Sequence, residues 1–141
     1  MADVVTIARS WIGTPYVHQA SAKGAGCDCL GLIRGIWRNR FGREPEAVPP
    51  YSPDWGELQG TEVLLAAANR HLTPVTDVWE PGQVLLFRMR SDAVAKHRGV
   101  LANVGASPTF IHAYARHGVV ESPLSAPWRR RVVARFAFQE G

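Results

Sequence analysis

GAGCDCLGLI, residues 24–33, carries both cysteines of the chain at the point where a glycine-rich loop runs into an amphipathic helix. From Asp28 to about Phe41 the apolar positions Leu30, Ile33, Trp37 and Phe41 recur at helical spacing, with Asp28 as N-cap and Gly42 as the stop. Gly31 and Gly35 interrupt that helix at a cost of roughly 1 kcal/mol each against alanine, which points to a close-packed neighbouring backbone. Cys29 falls in the first turn. There the positive end of the helix macrodipole and the unpaired backbone N–H groups favour a thiolate and can hold an oxyanion. Cys27, one step outside the helix, has no such reason to be reactive and reads as structural.

Three other readings of the pair compete with this one. Zinc would need about four ligands, which Cys27, Cys29, His97 and His112 supply in number, but structural zinc sites space their cysteines by two residues and here the gap is one. A disulfide between residues two apart would distort the helix start. Two buried thiols acting as small hydrophobes is the ordinary outcome, and the helix-start position argues against it for Cys29. Neither a metal nor a cofactor is expected.

Working outward, Val4, Ile7, Ala8, Trp11 and Ile12 predict a helix stopped by Gly13 and Pro15. A proline-rich loop over 45–55 precedes a third predicted helix, 57–71. The chain then turns β-rich, with strands predicted at Val84–Met89, Gly99–Val104, Thr109–Tyr114, Val119–Glu121 and Val132–Phe138, and a loop over 90–96. Helices followed by strands predict one α+β domain over 1–141, its N-terminal helices packed on a mostly antiparallel five-stranded sheet.

The 141 residues suffice for one core, and 46% hydrophobic with 20% charged residues excludes wholesale disorder. A formal charge of +4 favours polyanionic partners without choosing one. The arginine runs 34, 38, 40, 43 and 129–131 read as solvated faces. The N-terminal stretch lacks the basic and apolar regions of a signal peptide, and no segment approaches about 18 uninterrupted apolar residues, so neither export by its own signal nor membrane insertion is expected.

A thiolate nucleophile needs a base, and the base needs an orienting group. Of five histidines, His18 and His117 lie among loop residues and His71 ends a predicted helix. His97 opens one strand and His112 lies within the next, so antiparallel pairing can bring their rings to one face. A facing Cys29 would complete a Cys, His, His line.

These residues resemble the NlpC-type family of papain-like cell-wall cysteine endopeptidases. Asp28-Cys29-Leu30-Gly31-Leu32 resembles the family's Asp-Cys-x-Gly-Leu helix start, and Gly13-Thr14-Pro15-Tyr16 its opening Gly-x-Pro-Tyr turn. Pro81-Gly82-Gln83 followed by VLLF resembles its Pro-Gly-Asp strand entry, and His97-Arg98-Gly99-Val100 its His-x-Gly-Ile strand. Phe110-Ile111-His112-Ala113 resembles its Ile-His-Ala strand, and Ala126-Pro127-Trp128 its late turn. The resemblance spans nearly the whole chain and keeps the family's order.

It implies Cys29 as nucleophile, His97 as general base and His112 as the residue orienting His97, with Tyr16 and Asp28 on the substrate and oxyanion side. It further implies hydrolysis of a peptidoglycan stem peptide, usually at the γ-D-glutamyl bond to a diamino acid. Leu30 stands where the family commonly has serine, removing a hydroxyl that helps hold the stem peptide's free amine. Gln83 stands for the usual aspartate, at a turn. Short proteins of this type resemble those carried at the tail tip or hub of phages and gene transfer agents. Tail proteins and peptidoglycan are therefore the expected partners, nucleic acid is not, and the expected site of action is the periplasm or cell wall. A structural hub subunit with a degenerate peptidase fold, or a thiol amidase or acyltransferase on the same scaffold, are the competing readings.

Overall fold

The computed structural model describes residues 3–43, 70–88 and 97–138. Helix α1, Val4–Ser10, opens on Asp3, whose carboxylate accepts the Thr6 N–H at 2.8 Å. A short ribbon, β1 (Ser21–Ala22) paired with β2 (Gly26–Cys27), leads into α2, Cys29–Phe41. Asp28 caps α2 by accepting the Gly31 N–H, and Gly42 ends it in the left-handed conformation, both as predicted. Then come β3 (Leu72–Val75), β4 (Val84–Phe87), β5 (His97–Asn103), β6 (Thr109–Tyr114), β7 (Gly118–Pro123), the short helix α3 (Ala126–Arg130) and β8 (Val132–Phe138). The predicted third helix, 57–71, lies outside the described residues except for Arg70 and His71, which are helical. The predicted loops at 45–55 and 90–96 lie outside them too.

The fold class is α+β, but among the described residues the main sheet has six strands, not five, in the order β3-β8-β4-β5-β6-β7, with every pair antiparallel. The added strand, β3, contains Pro74 and lies at the sheet edge, the place where a proline's missing N–H costs no ladder bond. The β1–β2 ribbon forms a second, two-stranded sheet that the sequence pattern does not anticipate.

Both faces of the main sheet are covered. Val84, Leu86, Val100, Ala102, Ile111 and Phe136 share one core with Ile7, Ala8 and Trp11 of α1 and Leu32, Ile33 and Ile36 of α2. On the other face Leu85, Phe87, Leu101 and Phe110 gather with Leu124, Trp79 and Trp128. Alternate residues of β4 thus enter different cores, which is why VLLF is apolar throughout.

The two glycines of α2 have separate reasons. A Cβ on Gly31 would collide with the backbone carbonyl of Ala20, the close approach that the sequence predicts, whereas one on Gly35 would collide with the Trp11 indole, a side chain. Ser21 Oγ donates to the Gly31 carbonyl at 2.6 Å, and Arg38 donates to Ser21 O and Oγ at 2.6 and 2.9 Å. Arg38 therefore clamps the ribbon to α2 and is not simply a solvated charge. At the other departure, Gln83 is buried, donates to Val78 O at 2.9 Å and accepts from Arg135 at 3.2 Å, so it serves the turn before β4.

Candidate functional site

The first residue of α2 meets β5 where the sheet parts. Leu101 donates its N–H to Gln83 on the β4 side, so strand alternation directs the Arg98 N–H toward β6. The β5–β6 ladder ends at Val100–Ile111 and does not reach Arg98. That N–H, with the Leu30 N–H of the helix start, is directed at the Cys29 sulfur. Two backbone donors from different elements thus converge on one thiol.

Cys29 is itself only half-buried, yet desolvation by the surrounding protein dominates. It pushes the Cys29 thiol above its ordinary range; the Arg98 charge and both N–H groups oppose it, and the Asp28 carboxylate adds to it. The helix-start position alone predicts a thiolate, and desolvation reverses that sign. Cys27 is fully buried and its thiol is pushed up to about 12, chiefly by burial, which fits a structural role.

His97 and His112 come together as the strand pairing predicts. His97 Nε2 lies 2.9 Å from His112 Nδ1, and His112 Nε2 lies 2.9 Å from Ser122 Oγ. Ser122 opposes Phe110 in the β6–β7 register, so it is the diagonal neighbour of His112 on one face. This third link is not expected from the sequence: the predicted strand stops at Glu121, and a serine before Pro123 reads as a turn residue. Phe110 stacks 4.2 Å from the His112 ring, Phe87 lies 5.6 Å from His97, and Trp128 lies 5.9 and 5.3 Å from the two imidazoles. The segment expected as a late turn is helix α3, and its Trp128 supplies a wall of the histidine box. Burial, reinforced by the His112 and Arg98 charges, lowers His97 to about 3; burial and His117 lower His112 to about 4.

Tyr16 bridges to Cys27 and packs on the helix-side core. Burial and the neighbouring Cys29 raise its phenol to about 12, so it keeps its O–H as a donor. Asp28 is buried, and its two oxygens accept the Gly31 and Gln19 N–H groups at 2.7 Å each. A carboxylate cannot donate to an oxyanion, so this geometry makes Asp28 the clasp between the loop and α2. His18 Nδ1 lies 3.8 Å from the same carboxylate, and His117 stacks on Tyr114 at 5.3 Å. His71 lies edge-on to Trp37.

Acidification should destabilise the fold through the histidine pair. Each binds its proton more weakly folded than unfolded, so below the unfolded value of about 6.5 the unfolded chain gains protons that the folded chain refuses. Stability is then lost at up to about 1.4 kcal/mol per pH unit for each histidine, down to about 4 for His112 and about 3 for His97. Thermal melts from pH 7 to 5 should show Tm falling, with a shallower slope in His112→Gln; a flat Tm over that range would refute the burial account.

No family model matches the chain. Among curated proteins, the gamma-DL-glutamyl hydrolase of Bacillus subtilis strain 168 is 28% identical over 130 residues, covering 92% of this chain and 27% of the relative. The chain therefore spans about a quarter of that protein's length. A Bacillus cereus ATCC 10987 NlpC/P60 family protein superposes with TM-score 0.65 at 17% identity, covering 98% of this chain and 40% of the other. The lipoprotein-like NLP/P60 family protein of Staphylococcus aureus Mu50 gives 0.62 at 16%, covering 98% and 41%. The NlpC/p60 domain of the peptidoglycan hydrolase SagA gives 0.57 at 22%, covering 97% and 96%. Superposition over nearly the whole chain on three such structures establishes that this chain has the NlpC/P60 fold.

Proposed function

We propose that the chain is a cysteine peptidase that hydrolyses peptidoglycan stem peptides, with the γ-D-glutamyl bond to a diamino acid as its target. The carrying observation is the placement of Cys29 at a helix start, beside the strand residue next to His97, with His97 joined to His112 and Ser122. The likeness to the B. subtilis gamma-DL-glutamyl hydrolase and to the NlpC/p60 domain of the peptidoglycan hydrolase SagA supports the substrate class.

Two proton arrangements satisfy the His97–His112–Ser122 chain. If His112 donates from Nε2 to Ser122, its Nδ1 accepts from His97 Nε2–H and leaves a lone pair on His97 Nδ1. If Ser122 donates instead, His97 Nδ1 carries the hydrogen and cannot act as base. The first arrangement is the one catalysis uses. As the Cys29 sulfur bonds to the scissile carbonyl carbon, its proton passes to His97 Nδ1. The oxyanion is held by the helix-start N–H and the Tyr16 O–H. Collapse breaks the C–N bond, and His97 gives the proton to the departing amine. Water then attacks the thioester, loses a proton to His97 and releases the acid, and the proton returns to sulfur. Asp28 acts on the substrate side by fixing the loop that bears Gln19.

Delivery is the second element of the proposal: a phage or gene-transfer-agent tail carries the domain to peptidoglycan, where it acts in the periplasm or cell wall. The exposed Arg129 and Arg130 beside Trp128 support it by offering a surface for tail-tip or hub proteins.

Purified peptidoglycan digested with wild-type protein should yield fragments cut at the γ-D-glutamyl bond by mass, and none with Cys29→Ala. Ser122→Ala should lower kcat by roughly 10-fold with little change in KM. Equal digestion by wild type and Cys29→Ala would remove Cys29 from the mechanism. Intact peptidoglycan in both would favour the structural hub subunit, and transfer to an acceptor amine would favour the acyltransferase. Affinity capture of the tagged protein from particle-producing cells should recover tail-tip or hub proteins, and capture without any tail component would contradict the delivery reading.

A further inference from the structure

Arg98 is a buried cation with only 5% of its surface exposed, and neither terminal guanidinium nitrogen has a hydrogen-bond partner among the described residues. Buried guanidinium groups are normally paired, because the charge is costly away from water. Its position is not incidental. Arg98 follows His97 in β5, and its own N–H is directed at the Cys29 sulfur. It shares the helix-side face with Val100 and Ala102, and its charge is felt at Cys29, Tyr16 and His97. Among the family-like motifs this is the variable position of His97-Arg98-Gly99-Val100, to which the sequence pattern assigns no role.

We propose that Arg98 is a carboxylate receptor beside Cys29, taking the free α-carboxylate of the γ-linked glutamyl residue whose side-chain carbonyl is attacked. This rests on the proposed function. A γ-linked glutamyl residue always presents such a carboxylate on the acyl side of its scissile bond, unless it is amidated. A planar guanidinium matches a carboxylate with two parallel N–H···O bonds, and a carboxamide supplies only one acceptor oxygen and no charge. The residue therefore selects glutamyl over isoglutaminyl stem peptides, and it positions the γ-carbonyl over the sulfur.

The test compares L-alanyl-γ-D-glutamyl-diamino acid with its α-carboxamide. Wild type should prefer the carboxylate by about 10- to 100-fold in kcat/KM, and Arg98→Met should reduce that preference to within about 3-fold by slowing the carboxylate peptide. A role confined to stabilising the thiolate would slow both peptides alike and leave the ratio unchanged. If Arg98→Met does not fold, Arg98→Lys, which keeps the charge and loses the fork, should show an intermediate ratio. Equal cleavage of both peptides by wild type overturns the carboxylate receptor and leaves the proposed function standing. Cleavage of neither overturns the proposed function, and the receptor is then decided by binding: the Cys29→Ala protein should be stabilised in thermal melts by the carboxylate peptide and not by the carboxamide, and equal shifts or none would overturn it.

Discussion

A sulfur atom approached by two backbone N–H groups, one from the start of α2 and one from β5, is the contact on which the rest of the site depends. It requires α2 to start flush against the sheet at the point where the β5–β6 ladder stops. The surrounding chemistry serves that placement. Gly31 allows the Ala20 carbonyl to approach the helix, Asp28 ties the Gln19 loop to the same turn, and Arg38 holds the ribbon from the far side. The Arg9–Glu121 pair at 3.1 Å, with Thr109 donating to the same carboxylate at 2.7 Å, locks α1 to the strands that carry His112 and Ser122.

Electrostatically the site is a contest between desolvation and directed dipoles. At Cys29 burial wins over the N–H groups and the Arg98 charge, and at both histidines burial again disfavours the charged form. The site therefore holds a neutral thiol and neutral imidazoles. On the proposed mechanism the dipoles act where negative charge develops, so their stabilisation belongs to the attack and not to a preformed ion pair.

Much of this is legible in the sequence because it follows from periodicity and caps. Asp28, the α2 spacing and Gly42 specify the helix that begins at Cys29, and strand alternation brings His97 and His112 to one face. What is hidden arises from pairing between distant segments. LTPV at 72–75 contains a proline that argues against a strand until an edge position is available, and a two-residue ribbon has no period to detect. Ser122 lies past the predicted end of its strand, and its partnership depends on a diagonal register. The sign of the Cys29 shift also escapes, because a sequence shows a helix start but not how far the surrounding protein desolvates it. Arg98 gives no signal for the same reason: an arginine within an apolar strand looks like an interruption until its surroundings are seen.

On the proposed mechanism Cys29 rests as a protonated thiol, and its proton passes to His97 only as substrate is attacked. The direct test is the rate of Cys29 alkylation by iodoacetamide as a function of pH, with Cys27→Ala used to isolate the signal. A protonated resting thiol predicts a rate that rises with pH through a midpoint above the ~8.5 of a free thiol. A plateau already reached at neutral pH would show a preformed thiolate and contradict it.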